Sequence, residues 1–570
     1  MLGTVLVFCV IVQKVVAASY TVTVDAKKPQ TDLKHFWKST GFCPPLPHNQ
    51  SDQYDLSKDQ QMNLAFVGSV PQRGFKQVRI HWMLELITVK VVNEKPHYNF
   101  TNLDKLVDLL WKNGLRPGFE LMGSVAGYFT DFEDKSQVME WKNLITLIAK
   151  RYIDKYGLGY VSQWNFETWN EPNNHDFDNV NVTIQGFLNY YDACSEGLKD
   201  ASPLLRFGGP GDSCHSTPHS PYCWAMLSHC YNGTNMFTGE MGVRLDYIAL
   251  HKKVIAQHQN LLIASPANTI NYTLLSNDNA FLNYHPHYFT QRTLTARFQM
   301  NNTRPPHMQL LRKPVLTVMG LLSLLGEKQI SADITEGGTS EEPTLGVLAS
   351  THQPAVPSTA DSWQSSILVY NSNDNMTSLD LSYVTIHLKG YPTLQGMVYV
   401  TYYLDNNATN PYKLWKSFRS PDFPTVHQFQ QLRNVEDPLV TGPYPFPSEG
   451  SLTLKAELPV PSVLLIHVCA QPGAPPDQVT GVQFIPVTNG QVLIGWKDSC
   501  VNSRCIKTYE VEFSEDKKTF QRVNERNTIF TLYVYAPENT DVSGFYRVRA
   551  VDYWNRPGAY SLLEKYTEEH

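Results

Sequence analysis

The sequence predicts an α/β protein in which a (β/α)8-type barrel lacking one unit is followed by a β-sandwich and a smaller C-terminal β domain. Three observations lead to this prediction. The chain has 570 residues with 42% hydrophobic content, which is more than one core can hold. Up to about residue 328, segments with strand and helix periodicity alternate. Beyond that point β-pattern segments follow one another, separated by Pro, Ser, Asn and Gly.

Residues 1–18 have the pattern of a cleaved signal peptide, because an apolar run ends in the small residues Ala17 and Ala18. No other segment is apolar over a membrane-spanning length. The net charge of −6 comes without a basic stripe, which argues against nucleic-acid binding. Sequons for N-glycosylation occur at Asn49, Asn99, Asn181, Asn232, Asn271, Asn301, Asn375 and Asn407. We therefore expect a soluble, N-glycosylated protein of the secretory pathway.

Residues 19–28 form a short N-terminal unit. Tyr20 to Asp25 alternate between apolar and polar side chains, which predicts a half-buried strand. Lys27-Lys28-Pro29 then links it to the next unit. We expect this strand to join the β-sandwich that the chain forms later.

Residues 29–328 alternate between strands and helices, which predicts a parallel sheet closed into a barrel. The clearest helix is Gln137 to Tyr152, where Val138, Trp141 and Ile145 share one face. The predicted strands are Phe36 to Phe42, Gln77 to Met83, Pro117 to Met122, Ser162 to Glu171, Leu204 to Gly208 and Leu245 to His251.

After His251 the number of units falls short of eight. Only one helix, Val254 to Ile263, fits before a predicted strand at Tyr272 to Tyr284 and a closing helix at Val315 to Leu325. The sequence therefore predicts seven units where a closed (β/α)8 barrel has eight.

Residues 329–470 predict the β-sandwich, and residues 471–570 a domain of fibronectin-type-III pattern. The sandwich strands are Thr344 to Ala349, Ser365 to Tyr370, Leu379 to Leu388, Met397 to Leu404 and Ser462 to Val468. The C-terminal strands are Val479 to Ile485, Gln491 to Trp496, Lys507 to Phe513 and Phe545 to Val551. Gln471 to Pro476 reads as a stiff linker. Tyr546 is either the hydrogen-bonded tyrosine of such folds or an ordinary core residue.

The stretch W-N-F-E-T-W-N-E-P, Trp164 to Pro172, predicts a buried strand that delivers Glu171 to the rim of the barrel. Proline ends the strand at that point. We expect the aromatic surround to raise the pKa of the Glu171 carboxyl, as suits a proton donor. The alternative is a solvated loop glutamate after an aromatic core strand.

This stretch and several others resemble the α-L-iduronidases of glycoside hydrolase family 39. The matching motifs are W-N-F-E-T-W-N-E-P, S-T-G-F-C-P-P-L-P (Ser39 to Pro47), K-Q-V-R-I-H-W (Lys76 to Trp82), P-G-F-E-L-M-G (Pro117 to Gly123), F-L-N-Y-Y-D-A-C-S-E-G-L (Phe187 to Leu198), L-L-S-N-D-N-A-F (Leu274 to Phe281), Q-R-T-L-T-A-R-F (Gln291 to Phe298) and Y-R-V-R-A-V-D-Y-W (Tyr546 to Trp554). The resemblance extends over essentially the whole mature chain. It implies a lysosomal glycosidase that removes terminal α-L-iduronate from dermatan sulfate and heparan sulfate.

The resemblance also implies roles for six residues. Glu171 matches the proton donor, and Asn170 and His81 match sugar contacts. Asp278 matches an acceptor for ring hydroxyls, and Arg292 a bidentate partner for the uronate carboxylate. Lys253 would supply positive charge. His81, together with Arg79, has a purely structural alternative, and Lys253 could derive from the far side of a missing segment.

Retaining glycosidases need a second carboxyl group, about 5–5.5 Å from the first, as nucleophile. In the family, a seventh strand bears this glutamate. Here no glutamate occurs between Glu240 and Glu327. Lys253-Val254 therefore looks like the junction left by an in-frame omission, and we expect little or no turnover by this chain.

The nine cysteines are consistent with an oxidising compartment. Cys214, Cys223 and Cys230 are close enough in sequence for a local bridge, and Cys469 could pair with Cys500 or Cys505. The resemblance favours Cys505. Without a C-x-x-C pair with histidine partners, we expect no metal and no cofactor.

Three classes of function remain. The first is the glycosidase that the resemblance implies, with a glycosaminoglycan as its partner. The second is a carbohydrate-binding protein that keeps the acid and lacks turnover. The third is a non-catalytic secreted glycoprotein, or a chain that misfolds.

Overall fold

The computed structural model describes residues 18–568 except 175–179, 181, 217, 252–272, 283–287, 337–343, 355–359, 374–380 and 539–540. Six parallel strands form one curved sheet and follow the order of the chain. These first to sixth barrel strands are Ser39–Phe42, Gln77–Ile80, Arg116–Glu120, Asn165–Glu167, Arg206–Asp212 and Tyr247–Leu250. All six predicted strands are confirmed, with ends displaced by a few residues.

Helices connect these strands as the alternation predicts. They are Lys58–Gly68, Thr101–Lys112, Lys135–Tyr156, Ile184–Ala201 and Pro221–Asn232, with short helices at Ser51–Asp55 and Leu158–Val161. Lys135–Tyr156 begins where the Asp134 side chain accepts a hydrogen bond from the backbone of Ser136, and it ends at Gly157, whose φ is 84°. Its buried face includes Val138, Trp141 and Ile145, which confirms the predicted periodicity.

A seventh parallel segment lies beside the first barrel strand. Ser276 forms a parallel bridge with Ser39. The predicted strand Tyr272 to Tyr284 is wrong in extent, because residues 273–282 form only this bridge and another between Ala280 and Thr293. The chain turns at Asp278, whose φ of 42° is incompatible with an extended strand. The predicted helix Val254 to Ile263 lies outside the described residues.

The sixth barrel strand has a described partner on one side only, the fifth strand. Ile248 is 52% exposed and Leu250 is 47% exposed. Within the part of the chain that the structure describes, this strand is therefore an open edge with apolar side chains facing outwards.

The barrel region ends in an antiparallel hairpin that the sequence analysis did not predict, Thr295–Met300 with His307–Arg312. The closing helix follows at Pro314–Leu322, with Pro314 in its first turn. A smaller hairpin, Thr88–Val92 with Lys95–Asn99, follows the second barrel strand. Short 3-10 turns lie at His48–Gln50, Pro71–Arg73, Met83–Leu86 and Pro172–Asn174.

The next unit is a nine-stranded sheet. In spatial order its strands are Leu439–Pro445, Val398–Asp405, Ser462–Cys469, Gln364–Asn371, Leu345–His352, Lys328–Glu336, Ser19–Asp32, Leu381–Lys389 and Leu452–Pro459. Helices Pro411–Ser417 and Val426–Asn434 are inserted before Leu439. The N-terminal strand lies between Lys328–Glu336, to which it is antiparallel, and Leu381–Lys389, to which it is parallel. This sheet thus includes the predicted N-terminal strand and three strands that were not predicted.

The C-terminal β domain has two sheets. One contains Thr480–Thr488, Gln491–Lys497 and Leu532–Tyr535; the other contains Gln521–Arg522, Ile506–Ser514, Gly544–Asp552 and Glu564–Tyr566. The Tyr546 hydroxyl donates a hydrogen bond of 2.6 Å to the carbonyl of Val542. Of the two alternatives for this residue, the structure therefore selects the hydrogen-bonded tyrosine.

Two disulfides are present, Cys214–Cys223 and Cys469–Cys505. The second confirms the pairing that the resemblance favoured, and it joins the nine-stranded sheet to the C-terminal domain. His467 lies beside this disulfide, but both sulfur atoms are bonded to each other and are not available as metal ligands. Among the described helices, none combines the length and the apolar character needed to cross a bilayer.

Candidate active site

Four of the six predicted site residues, His81, Asn170, Glu171 and Asp278, lie at the carboxyl ends of the barrel strands. His81 follows the second strand, Glu171 lies four residues beyond the fourth, and Asp278 follows the bridge beside the first. Parallel strands bring their carboxyl ends to one rim, which is where barrel enzymes place their catalytic groups. The same rim carries acids at the ends of the third and fourth strands, Glu120 and Glu167.

A buried arginine in the second strand connects this rim. The Arg79 Nε and Nη2 groups donate to Glu167 Oε1 at 3.0 and 2.7 Å, and Nη2 also pairs with Glu120. Nη2 donates to Asn170 Oδ1 at 2.9 Å, while Nη1 lies 3.6 Å from Asp278 Oδ2. Burial alone lowers the pKa of Arg79, but the three carboxylates outweigh it and raise the pKa above its ordinary value. Arg79 therefore holds four strand ends in register.

The two buried glutamates are occupied by these contacts. Glu120 is fully buried, and its second carboxylate oxygen, Oε2, also contacts Nδ1 of His81. Burial raises the pKa of Glu167, while the charge of Arg79 opposes that effect. A buried acid pair that shares one arginine is stable only while that arginine stays in place.

Glu171 lies on the rim in a constrained backbone conformation, with a φ of 45°. Its backbone N–H donates to the Gly211 carbonyl at 3.1 Å. One carboxylate oxygen lies 2.6 Å from His251 Nδ1, and the other accepts from the Asn174 amide at 2.5 Å. The side chain is 34% exposed.

The expectation that aromatic burial raises the pKa of Glu171 is wrong. The hydrogen bond from His251 lowers the pKa of this carboxyl, and burial opposes the effect only in part. Trp164 and Phe166 pack against Phe119, and Tyr152 of the helix Lys135–Tyr156 contacts Phe119 and Trp164, so this aromatic layer lies between the barrel sheet and that helix. The strand ends at Glu167, so Glu171 lies outside this aromatic layer.

Asp278 lies near Nη1 of the Arg79 guanidinium, whereas Glu120 and Glu167 pair with Nη2. Its Oδ1 accepts from the Ser276 hydroxyl at 2.7 Å. Burial alone raises the pKa of Asp278, but the charge of Arg79 and this hydrogen bond outweigh it and lower the pKa. A β-carbon at Gly41 would collide with Asp278 Oδ1, so the first strand requires glycine there.

The remaining predicted residues lie at different places. Asn170 is in the Arg79 network, with its Oδ1 as acceptor. Arg292 is exposed, has a φ of 57°, and stacks on Phe281 with 4.5 Å between the guanidinium carbon and the ring centroid. Lys253 lies outside the described residues.

Sequence reasoning missed Glu120, Glu167 and His251 and gave Arg79 only a structural role. A signal was present, because Glu120 and Glu167 lie in the carboxyl-terminal halves of predicted strands and His251 ends another. Strand-end position in a parallel barrel is sufficient to place them on the rim. Their mutual contacts require the tertiary structure.

Comparisons with known proteins agree with this arrangement. The sequence profile of glycosyl hydrolases family 39 matches residues 20–253 and 252–453, and that of the alpha-L-iduronidase C-terminal domain matches residues 480–568. The α-L-iduronidase of Mus musculus is 52% identical over 95% of this chain and 95% of its own length. That of Homo sapiens is 52% identical over 97% of this chain and 94% of its own length.

The alignments with these relatives contain positions that are absent from this chain. The alignment with the human protein spans 615 positions, although this chain has only 570 residues, so positions of the human protein have no counterpart here. The family profile likewise matches in two separate stretches that meet at residues 252–253.

Solved structures show the same fold. A bacterial orthologue of human α-L-iduronidase has a TM-score of 0.82 and 25% identity, covering 96% of this chain and 100% of its own. A β-xylosidase of family 39 from Caulobacter crescentus has a TM-score of 0.53 and 18% identity, covering 79% of this chain and 100% of its own. The chain belongs to glycosyl hydrolase family 39 and is a glycosidase of the α-L-iduronidase type.

Proposed function

We propose that the intact form of this protein is a retaining hydrolase that removes terminal α-L-iduronate from dermatan sulfate and heparan sulfate. We further propose that the 570-residue chain has little or no turnover, because it lacks the segment that carries the nucleophile. In the proposed reaction Glu171 protonates the glycosidic oxygen, and a second carboxylate attacks the anomeric carbon.

The observation that carries this proposal is the state of the carboxylates on the rim. Glu120 and Glu167 are both paired with Arg79, and Asp278 is held by Ser276 and Arg79. Asp212, which ends the fifth barrel strand, accepts hydrogen bonds from the Asn173 side chain and the Ser213 N–H. Each of these four described rim carboxylates is thus engaged by the protein, and none is a free partner for Glu171. The two stretches that match the family profile meet at residues 252–253, which supports a missing segment at this point.

The lowered pKa of Glu171 fits a site without its nucleophile. A carboxylate about 5–5.5 Å away would disfavour the ionised form of Glu171 and raise its pKa again. His251, whose Nδ1 lies 2.6 Å from the Glu171 carboxylate, lowers the pKa of Glu171. In this chain no such second carboxylate opposes that effect among the described residues. We propose that the two carboxylates together set the protonation state that catalysis requires.

Arg292 is the proposed partner of the uronate carboxylate. The face of its guanidinium rests on the Phe281 ring, and the group forms no ion pair with any described residue. This supports a role for its in-plane N–H groups in binding a ligand carboxylate. Arg79, in contrast, is fully engaged by the protein. His81, Asn170 and Asp278 are proposed as sugar contacts, and Lys253 as an additional cation.

The test is a comparison between this chain and a repaired chain, in which the missing segment is restored from a family relative. Both are purified and assayed with a fluorogenic α-L-iduronide. We expect turnover by the repaired chain only. The repaired chain with Glu171→Gln is the control for background hydrolysis. A rate for the 570-residue chain close to that of the repaired chain would overturn the proposal.

A carbohydrate-binding protein without turnover is the second candidate for this exact chain. The observation that favours it is the Arg79 network, which is complete in the absence of the nucleophile. Calorimetry with free α-L-iduronate then gives binding that weakens in Asp278→Asn. Absence of binding by the folded chain would exclude this candidate.

We also propose passage through the secretory pathway to the lysosome, with N-glycans. The five described sequon residues, Asn49, Asn99, Asn232, Asn301 and Asn407, are all exposed. Among the described residues the sixth barrel strand has one open edge, and exposed apolar edges promote aggregation, which would reduce secretion. We expect the expressed chain to lose mass on treatment with an endoglycosidase and to be secreted poorly. Efficient secretion without glycans would contradict both expectations.

A further inference from the structure

A cavity of about 400 Å³ lies at the end of the barrel opposite the candidate active site. Lys76 and Arg116 line it and stand at the amino ends of the second and third barrel strands. The C-terminal β domain forms its other wall, which includes Trp496 and Lys497. Cavities of roughly 300–1,000 Å³ are typical of small-ligand sites.

Direct hydrogen bonds fix the two walls relative to each other. The Thr531 N–H donates to the Ser69 carbonyl at 2.9 Å, and the Gln483 side chain donates to Asn113 Oδ1 at 3.0 Å. The Gln72 N–H donates to Asp498 Oδ2 at 2.8 Å. The cavity is thus part of a built interface between the barrel and the C-terminal domain.

The cavity is strongly cationic. Five basic side chains line it, Arg73, Lys76, Lys112, Arg116 and Lys497, against one carboxylate, Asp498. Asp498 is already a hydrogen-bond acceptor for Gln72. None of the five forms an ion pair with a described residue. A group of unpaired like charges in a partly enclosed space attracts an anion.

Burial and repulsion by neighbouring cations lower the pKa values of two lysines in the cavity. Burial, together with the charges of Arg116 and Arg73, lowers the pKa of Lys76. Burial and the charge of Arg73 lower the pKa of Lys497. A bound anion would favour the charged form of both lysines and offset this repulsion.

Two residues of the cavity wall each carry a buried donor that has no acceptor in the protein. Arg116 Nε and Trp496 Nε1 are both buried without a hydrogen-bond partner. Burying a donor unpaired is unfavourable, and such groups in a folded protein point to a missing acceptor.

An aromatic surface accompanies these donors. Trp111 lines the cavity and is 43% exposed. The ring of Tyr160 packs against Trp111 in a T-shaped arrangement, with 4.6 Å between the ring centroids. An exposed ring of this kind offers a flat apolar face for the C–H groups of a sugar. Inorganic anions have no use for such a face, which favours an acidic sugar over a free ion.

We propose that this cavity binds an acidic sugar unit of a glycosaminoglycan chain, at a second site remote from the catalytic rim. This inference rests on the proposed substrate class but not on turnover. The sulfate or carboxylate contacts Arg116, Lys76 and Lys497, and Trp111 supports the sugar ring. Arg73 and Lys112, which are exposed, extend the contact along the chain.

The test is calorimetric binding of a size-defined heparan sulfate tetrasaccharide, with maltotetraose and inorganic sulfate as comparison ligands. It is carried out on the 570-residue chain and on the repaired chain, since the cavity belongs to both. We expect the sulfated tetrasaccharide to bind, maltotetraose not to bind, and sulfate to bind much more weakly. The affinity should fall as salt is raised.

Variants separate this cavity from the catalytic rim. Arg116→Gln and Lys497→Gln should each weaken tetrasaccharide binding roughly tenfold, the usual effect of losing one charge-assisted hydrogen bond. Lys518→Gln removes an exposed charge outside the cavity and should have no effect. Arg292→Lys should leave this second binding event unchanged.

Either of two results would overturn the inference: parental affinity in both folded cavity variants, or sulfate binding as tight as that of the tetrasaccharide. Failure of the repaired chain to hydrolyse an α-L-iduronide would contradict the proposed function and leave this binding result standing.

Discussion

At the scale of single residues, the protonation of Glu171 is set by the group across from it. His251 lies 2.6 Å from its carboxylate and lowers its pKa. A proton donor needs the opposite shift, which a neighbouring carboxylate produces. In the proposed mechanism, Glu171 is the acid and the missing nucleophile is the carboxylate that would raise its pKa.

We expect Glu171→Gln in the repaired chain to abolish most activity on substrates with poor leaving groups. Such leaving groups require protonation, and general acid catalysis contributes about 10²–10⁴-fold. The measurement is kcat/KM for two α-L-iduronides that differ in leaving-group acidity. An equal and small loss on both substrates would show that Glu171 is not the acid.

Arg292→Lys in the repaired chain should weaken binding of an α-L-iduronate ligand by roughly tenfold, because lysine keeps the charge but loses the planar pair of donors. A neutral analogue without the carboxylate serves as the matched control and should bind nearly as before. Inhibition constants for the two ligands provide the comparison. Equal losses would indicate that Arg292 has a structural role on Phe281.

At the scale of elements, the helix Ile184–Ala201 supports the rim. The Tyr190 hydroxyl donates to the Leu121 carbonyl at 2.8 Å and accepts from the Trp169 N–H at 3.0 Å. It thus ties together the segments that follow the third and fourth barrel strands. Trp169 lies two residues before Glu171, so this helix also positions the loop of the proposed acid.

Tyr190→Phe should lower the free energy of unfolding by about 1–3 kcal/mol, because two buried backbone groups lose their partner. Tyr231→Phe is the control, since Tyr231 is 84% exposed. Urea denaturation of parent and variants provides the values. A Tyr190 variant as stable as the Tyr231 variant would mean that the loop does not depend on this hydroxyl.

At the scale of the whole molecule, a charged cluster joins the three units. His352 of the nine-stranded sheet contacts Glu327 at 2.7 Å and Asp361 at 2.9 Å. Arg504 belongs to the C-terminal domain, lies next to the Cys469–Cys505 disulfide in sequence, and pairs with Glu327. Its Nη1 group also donates to the Leu325 carbonyl at 3.2 Å.

The protonation of this cluster depends on its contacts. Burial alone lowers the pKa of His352, but hydrogen bonds with Asp361 and Glu327 outweigh burial and raise it to about 9. Burial alone raises the pKa of Glu327, but His352 and Arg504 outweigh it and lower it to about 2. The stabilisation from His352 is therefore complete below its ordinary pKa of 6.5 and is lost as pH rises through about 9. That from Glu327 is complete above 4.5 and is lost as pH falls through about 2.

We expect the melting temperature to include a contribution from this cluster that is greatest between pH 4.5 and 6.5. His352→Gln should destabilise the chain most in this window and progressively less as pH rises towards 9. Thermal melts of the parent and the variant from pH 4 to 9 provide the difference. A difference that does not change across this range would show that His352 is not charged in the folded protein.

Local and periodic features of this protein could be predicted from its amino-acid sequence. Alternation of strands and helices predicted the six barrel strands, and the stretch before Pro172 predicted the rim position of Glu171. Matching motifs predicted the Cys469–Cys505 disulfide. These features depend on neighbours along the chain or on motifs that can be read directly, so they are visible without coordinates.

Contacts between residues distant in sequence could not be predicted and became known from the folded structure. Arg79 meets Glu120 and Glu167 because parallel strands align their ends, and His251 reversed the pKa shift expected for Glu171. The strand Lys328–Glu336 was missed because its pairing with Ser19–Asp32 joins segments about 300 residues apart. Pair energies and burial depend on distance in space, and no periodicity along the chain records them.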